Sequence, residues 1–401
     1  MNILIIYPYL PHEKMFHGSA IRVHNYLKCL SQRNKVFIAC FADEKNTKLI
    51  AELEPLCEKI FFVPTPNTVS RLWRVFHFLV SGTPNFVKHF KSNELVEKIN
   101  GLLDDYTIDI LHIEFVLLGG YLNLLKLKPS IKIILNIDEV ISRVLNEKWR
   151  SINSFKKVFY YWQYVKIRNY ELKICNQTDK IFTITSEEKN YLKSLRPELK
   201  ISVIPNGVDS SFFKFNKKKI NEKTTEQNIV FIGNYKHYPN KEVVLYFYNH
   251  IFPEIKLKVP EIIFNIVGAN VPSVFEKLVQ DPCVRLVGEV SDVRYYLKQS
   301  NVFVCPIISG GGFRGKVIEA MAWGIPVVST SLGVAGIDIK RNIHAFIEDD
   351  PASFSKRVVD LLTGNNNDID RMVNASREII EKKYAWPIIC QKLENEYNSL
   401  L

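Results

Sequence analysis

Val304-Cys305-Pro306-Ile307-Ile308-Ser309-Gly310-Gly311-Gly312-Phe313-Arg314-Gly315-Lys316-Val317-Ile318-Glu319-Ala320-Met321-Ala322-Trp323-Gly324-Ile325-Pro326 is the stretch that decides how the chain is read. It runs from a buried strand through a glycine-rich loop into a helix of about ten residues, closed by Gly324 and Pro326. Glycines before a helix let a ligand approach the backbone closely. The helix start presents unpaired N–H groups and a partial positive charge, which together suit a phosphate or diphosphate. Arg314 and Lys316 add two cations there, Arg314 able to bind in bidentate fashion and Lys316 as a point charge. Glu319 follows Lys316 by three residues and lies about one turn deeper. A carboxylate there can accept two hydrogen bonds from a vicinal diol such as a ribose. The bland alternative is a surface helix with a cation–carboxylate pair at helical spacing. Three glycines, two cations, a carboxylate and a closing Trp-Gly-Ile-Pro favour a nucleoside diphosphate site instead.

Outward from this stretch the chain alternates short β-rich runs with helical spacing. Asn2–Tyr7 is nearly all apolar, as in a parallel sheet covered on both faces. Runs at 36–41, 60–63, 108–113, 131–137 and 180–185 continue the pattern. It restarts at 229–233, 262–268, 284–288, 302–306 and 326–329. Between the two series, residues 214–228 are polar and read as a linker. The expectation is an α/β chain of two doubly wound units facing a central cleft, with ligands at the carboxyl ends of the strands. The boundaries read as 1–205, a linker over 206–228, a second unit over 229–382, and a closing segment over 383–401.

The 401 residues suffice for two domains. A composition 47% hydrophobic and 24% charged excludes disordered, collagen-like and disulfide-scaffold classes. Lys+Arg 53 against Asp+Glu 42 leaves +11, which suggests an anionic partner: nucleic acid, phospholipid or a phosphorylated substrate. No apolar run approaches the ~18 residues of a membrane span. The Met1–Ile6 run lacks the charged start and cleavage site of a signal peptide, so a cytoplasmic location is expected. Cys29, Cys40, Cys57, Cys175, Cys283, Cys305 and Cys390 are odd in number and include no CxxC pair, and are expected to be scattered reduced thiols.

The Arg314–Val328 run resembles the donor-binding signature of the retaining family 4 glycosyltransferases, which have the GT-B fold. Weaker resemblances follow in order along essentially the whole chain. Gly18 and Ser19, with Arg22 and Asn25, resemble the loop after the first strand that approaches the donor phosphate and sugar. Ile204-Pro205-Asn206-Gly207-Val208-Asp209 resembles the domain-joining segment, and Phe231 to Tyr235, including Gly233 and Asn234, the loop opening the second domain. Val287-Gly288-Glu289-Val290 resembles the segment whose backbone meets the nucleobase, and Tyr384-Ala385-Trp386 the start of the helix crossing back to the first domain. The resemblance implies a nucleotide-sugar-dependent transfer to a glycan or lipid-linked hydroxyl. The second half binds the donor and the first half the acceptor.

Three departures from the family pattern matter. A second glutamate, eight positions before Glu319, is replaced by Gly311, next to Gly312 and Phe313. The loop after the second domain's first strand carries only Lys236 where the family commonly has Arg and Lys, which puts the phosphate charge on Arg314 and Lys316. The family's histidine near the sugar has no clear counterpart. Asp138 or Glu139 stands in its stretch, and Asp138 is the candidate to orient or deprotonate the acceptor, with strand-end capping the alternative. His112 and Glu114 fall on one side of a strand and read as a satisfied structural pair, with a cleft role as the alternative. The histidine spacings suit no zinc site, and Arg314, Lys316 and the helix end can neutralise a leaving diphosphate, so metal independence and no cofactor are expected.

Residues 140–173 carry eight cations against Glu147 and Glu171, a net +6, interleaved with eight aromatics. Basic residues with interfacial aromatics suit an anionic membrane surface, and a peripheral position on the inner face is expected; a second such stretch is 71–80. A packed aromatic face with a solvated basic one is the alternative. Nucleic-acid binding finds no supporting motif. A dinucleotide oxidoreductase would want GxGxxG after the first strand, where Tyr7-Pro8-Tyr9-Leu10-Pro11 stands. A sugar-nucleotide epimerase of the same fold is the closer rival.

Overall fold

The computed structural model describes residues 1–15, 18–65, 90–215, 227–364 and 367–401. The basic aromatic stretch at 71–80 and residues 216–226 of the expected linker lie outside them. The chain forms two compact units: Met1–Asn206 with Ile389–Leu401, and Gly207–Ile388.

The first unit is built on a parallel sheet, described here with strands β1 (Asn2–Tyr7), β2 (Lys35–Phe41), β3 (Lys59–Val63), β4 (Ile110–Glu114), β5 (Lys132–Ile137), β6 (Lys180–Thr183) and β7 (Ile201–Val203). Their order is β3-β2-β1-β4-β5-β6-β7. Ile5 on β1 lies between Ile38 of β2 and His112 of β4, so the order reverses at the β1/β4 boundary. β1 and β4 are buried almost throughout, which is why their sequences lack the alternation of a half-exposed strand. Helix α1 (Gly18–Leu30) follows β1, α2 (Thr47–Leu53) follows β2, and α3 (Asn93–Asp105) precedes β4. The Ser92 hydroxyl caps α3 by accepting the Leu95 N–H. A pair of helices, α4 (Ile141–Ser151) and α5 (Lys156–Cys175), connects β5 to β6, and α6 (Ser186–Leu195) precedes β7.

The second unit repeats the scheme with β8 (Asn228–Ile232), β9 (Ile263–Val267), β10 (Val284–Gly288), β11 (Val302–Cys305), β12 (Val327–Ser329) and β13 (Phe346–Ile347). Their order is β10-β9-β8-β11-β12-β13, again parallel, reversing between β8 and β11. Its helices are α7 (Tyr238–His250), α8 (Phe252–Lys258), α9 (Arg294–Gln299), α10 (Gly315–Trp323), α11 (Pro351–Thr363) and α12 (Asn367–Lys383), and α13 (Trp386–Asn398) begins in it and continues in the first unit. Phe247, Phe252, Phe264 and Phe354 fill the core beside β9, with Phe247 and Phe264 ring centroids 4.8 Å apart.

The unit boundaries differ from the expected ones at both ends. Gly207–Phe213 folds with the second unit: Val208 is buried and bridges to Ala385, and Arg377 donates to the carbonyls of Ser210 and Phe213. The chain rejoins the first unit at Ile389, within α13, not at residue 383. Tyr384 and Trp386 stay behind because both are packed in the second unit, Trp386 against Gly207. The expectation of scattered reduced thiols also fails for one pair. Cys29 of α1 and Cys390 of α13 form a disulfide with their Cα atoms 6.3 Å apart. They are separated by 361 residues, so no local spacing announces the bond. The other five cysteines are free.

Truncating Phe247 to alanine opens a cavity at the centre of the aromatic cluster. Phe247→Ala is expected to lower the stability of the second unit by about 3–5 kcal/mol, read as an earlier denaturant midpoint. An unchanged midpoint would contradict the packing described.

Candidate functional site

In an open parallel sheet the helices after the two strands at the reversal leave in opposite directions, and a crevice opens at the strands' carboxyl ends. In the second unit this place is bounded by Ile232-Gly233-Asn234 after β8 and by the glycine-rich loop after β11. Gly310 and Gly312 have φ of 89° and 87°, the left-handed region that other residues rarely adopt. A Cβ on Gly310 would also lie 2.7 Å from Pro239 of α7, so the loop lies directly against that helix. Ser309 donates to the Glu242 carboxylate on α7, a second tie between loop and helix.

Arg314 is buried at the N-cap position of α10 and clamps its own loop. Its two terminal nitrogens donate to the carbonyls of Gly311 at 2.7 Å and Gly310 at 2.6 Å. The cation is thus held beside the N–H groups that open α10. Lys316, on the first turn, is partly buried. Its Nζ donates to Asn240 Oδ1 at 2.5 Å and lies 4.3 Å from the Phe231 ring centroid. Burial, with the nearby charge of Arg314, lowers its pKa to about 8. Glu319 lies partly buried one turn on, with no hydrogen bond among the described residues. Burial raises its pKa while the Lys316 charge opposes the rise. Gly324 closes α10 with φ of 91°, as expected of a left-handed helix end.

The loop after β8 is fixed by amides. Asn240 Nδ2 donates to the Asn234 carbonyl at 2.7 Å, and Asn270 Nδ2 donates to Asn234 Oδ1 at 3.0 Å. Gly268, at φ of 138°, passes so close that a Cβ there would lie 1.8 Å from the Gly233 oxygen. Lys236 is exposed, its N–H bonded to Asn234 Oδ1. Val290, two residues beyond Gly288, is partly buried against the core.

The structure therefore brings Gly233, Asn234, Gly311, Gly312, Phe313, Arg314, Lys316 and Glu319 to one sheet end. Sequence reasoning missed Asn240, which fixes both the Lys316 amine and the Asn234 carbonyl, and Glu242. The Pro239-Asn240 start of α7 was the available signal, since a helix start facing a strand end presents its polar side chains there.

In the first unit the corresponding end holds a buried ion cluster. Arg22 of α1 is fully buried and donates to Glu114 Oε2 at 2.6 Å, Asp138 Oδ1 at 2.5 Å and Asn206 Oδ1 at 3.1 Å. Asn136 Nδ2 bridges the two carboxylates. Asp138 therefore stands in an ion pair with Arg22, its side chain 19% exposed, while Glu139 is exposed. His112 and Glu114 are fully buried, with His112 Nε2 3.4 Å from Glu114 Oε1, and His112 Nδ1 hydrogen-bonds the Tyr397 hydroxyl of α13. Burial, assisted by the Arg22 charge, pushes the His112 pKa down to about 3, so the ring is neutral. Gly18 opens α1 in the exposed position, and buried Ser19 hydrogen-bonds the Tyr7 hydroxyl at 2.7 Å. Among the described residues no group of three or more His, Cys, Asp or Glu is placed to hold a metal ion.

Two doubly wound units, one with a glycine loop, paired cations and a helix start at its strand-order reversal, define a GT-B enzyme. Residues 16–212 match the family described as Glycosyltransferase Family 4, and residues 226–364 match Glycosyl transferases group 1. The chain belongs to this glycosyltransferase family. It is similar to an uncharacterised 44.6 kDa protein of the Klebsiella pneumoniae cps region, 21% identical over 354 residues, 86% of each chain. It is also similar to the Staphylococcus aureus capsular polysaccharide biosynthesis glycosyltransferase CapM, 30% identical over 127 residues, which cover 31% of this chain and 33% of that one. Among solved structures, Anabaena HepE in complex with UDP shares the fold with a TM-score of 0.69 at 12% identity, over all of both chains. Thermosynechococcus elongatus sucrose-phosphate synthase does so with a TM-score of 0.70 at 17% identity, over all of this chain and 99% of that one.

Two outcomes are expected from this geometry. Lys316 is a cation below about pH 8 and a neutral amine above it. Amine labelling followed by mass spectrometry should therefore give Lys316 a midpoint near 8, against about 10.4 for solvated lysines; a midpoint in the ordinary range would refute the buried setting. Arg22→Met leaves Glu114 buried without its cation, and should destabilise the first unit by about 3–5 kcal/mol. Adding Glu114→Gln should recover part of that loss in denaturation measurements.

Proposed function

We propose that this glycosyltransferase moves a sugar, with retention of configuration, from a nucleotide-diphosphate sugar to a hydroxyl of a glycan or lipid-linked acceptor, in the synthesis of cell-surface polysaccharide or glycoconjugate. One observation carries the donor reading. The partly buried Lys316 amine is fixed by Asn240 at the ends of β8 and β11, and the Glu319 carboxylate one turn away makes no hydrogen bond among the described residues. On this reading the diphosphate lies at the N-terminus of α10 beside Lys316 and Arg314, the ribose on Glu319, and the nucleobase near Val290. The sugar then lies along Gly311, Gly312 and Phe313, and Gly233 and Asn234 border the phosphates. Gly18 and Ser19 are assigned to the donor by family resemblance alone. The K. pneumoniae and S. aureus relatives, described by their cps region and by capsular polysaccharide biosynthesis, support the assignment to surface glycans. The HepE structure in complex with UDP-glucose supports a nucleotide-sugar donor.

The reaction breaks the bond from the anomeric carbon to the phosphate oxygen and forms one to the acceptor oxygen. The barrier falls as negative charge on the departing diphosphate is stabilised in place. Arg314, Lys316 and the N–H groups of α10 supply that positive charge, so transfer is proposed to need no metal or cofactor. A double displacement would require a carboxylate beneath the anomeric carbon, and position 311 is glycine. Transfer on one face is preferred, with the acceptor proton passing to the departing phosphate oxygen. In the first unit, Asp138 is the group proposed to orient the acceptor hydroxyl, its carboxylate steadied by Arg22 and Asn136.

Lys316→Ala and Arg314→Ala should each reduce transfer by about 10²-fold or more while the protein remains folded by circular dichroism. Wild-type turnover in both would refute the reading. A thermal-shift screen of UDP-, GDP-, ADP- and dTDP-sugars should give a selective hit that Lys316→Ala loses. Stabilisation by none of them would count heavily against a nucleotide-sugar donor.

A further inference from the structure

Glu242 of α7 is a carboxylate at the glycine loop to which the donor reading gives neither the diphosphate nor the ribose. It is half-buried on the second turn of the helix, three residues after Pro239, so the two side chains share one helix face. That face is turned to the loop. A Cβ on Gly310 would lie 2.7 Å from Pro239, and the Ser309 hydroxyl donates to Glu242 Oε2. An ionised carboxyl offers about four lone-pair sites. Oε1 makes no hydrogen bond and no ion pair among the described residues. A half-buried carboxylate thus stands over the loop with most of its accepting capacity unused.

On the donor reading the sugar lies along Gly311, Gly312 and Phe313. Its hydroxyls donate as well as accept, and once bound they need acceptors. Gly310, Gly311 and Gly312 bring no side chain, and the carbonyls of Gly310 and Gly311 already accept from Arg314 at 2.6 and 2.7 Å. Arg314 and Lys316 are donors, and the Ser309 hydroxyl is turned to Glu242. A carboxylate repels a phosphate but accepts strongly from a neutral hydroxyl, so Glu242 suits the sugar rather than the diphosphate. We infer, on the nucleotide-sugar reading of this site, that Glu242 accepts a hydrogen bond from a hydroxyl of the donor sugar and so takes part in selecting it. A sugar lacking that hydroxyl would leave the carboxylate desolvated without a partner, and a site built this way rejects such an analogue.

The test is titration calorimetry of the full chain with UDP, GDP, ADP and dTDP, and with the glucose, galactose and N-acetylglucosamine conjugates of each. Glu242→Ala should weaken the conjugate that the wild type binds by about tenfold or more. Affinity for the parent diphosphate should stay near the wild type's, which also shows that the second unit is folded. Ser309→Ala removes the tie to the loop but keeps the carboxylate, and should weaken the conjugate less than Glu242→Ala does. The inference is overturned if Glu242→Ala binds the conjugate like the wild type, or if it weakens conjugate and diphosphate alike. It is overturned too if Ser309→Ala matches Glu242→Ala, since Glu242 would then only brace the loop. A wild type that binds a diphosphate but none of its conjugates has no sugar contact of this kind. A wild type that binds none of these compounds overturns the donor reading, and this inference with it.

Discussion

The reversal of strand order between β8 and β11 is the constraint on which the candidate site depends. Parallel strands joined by right-handed crossovers can be extended from a central strand in two directions, and the change of direction leaves the loops after the two central strands without a helix between them. Here those loops are Gly233-Asn234 and Ser309 to Arg314. Everything chemically distinctive in the second unit serves to hold these two loops in place. Gly268 lacks the Cβ that would strike the Gly233 oxygen, and Gly310 lacks the one that would strike Pro239. Arg314 ties down the glycine loop through its own carbonyls, and Asn240 joins the two sides by holding both the Asn234 carbonyl and the Lys316 amine. A glycine loop is conformationally free in isolation; this one is fixed by a guanidinium.

The two cations of the loop consequently differ in kind. Arg314 is engaged with backbone oxygens, so its charge reaches the strand ends from within the loop it supports. Lys316 is partly desolvated, which lowers its pKa to about 8 and keeps a cation where solvation is poor. A group that pays a desolvation penalty without a full counter-charge is suited to receiving an anion. The reversal in the first unit shows the opposite balance. Arg22 is surrounded there by Glu114 and Asp138, so one cation meets two carboxylates. The two strand-order reversals thus differ in balance: carboxylates outnumber the cation at the first, and two cations stand at the start of α10 at the second.

Much of this was legible in the sequence where a signal is local. The apolar runs of β1, β4, β8, β9 and β11 are long and nearly uninterrupted, because both faces of each strand are covered. The edge strands β7 and β13, of three and two residues, are too short to show a period, and were not legible. The signature helix was readable because loop glycines, first-turn cations and the Gly324 stop lie within one contiguous stretch. Asn240 and Glu242 were not, since their partners lie 76 and 67 residues away. The Cys29–Cys390 bond and the Tyr397–His112 contact were invisible for the same reason: both form because α13 returns to the first unit. Arg22 lies within α1, and a sequence does not show that Glu114 of β4 and Asp138 after β5 will close on it.

The net charge of +11 divides along the same lines. A cation with an internal counter-charge, such as Arg22, does little outside the protein, because the field of a compensated pair falls off steeply. A cation pinned to backbone oxygens, such as Arg314, acts over one loop. Lys148, Arg150, Lys156 and Lys157 of α4 and α5 have no carboxylate partner among the described residues, and Lys148 and Lys157 lie over the rings of Tyr160 and Trp149. Excess charge therefore says little about function until each cation has been assigned a partner.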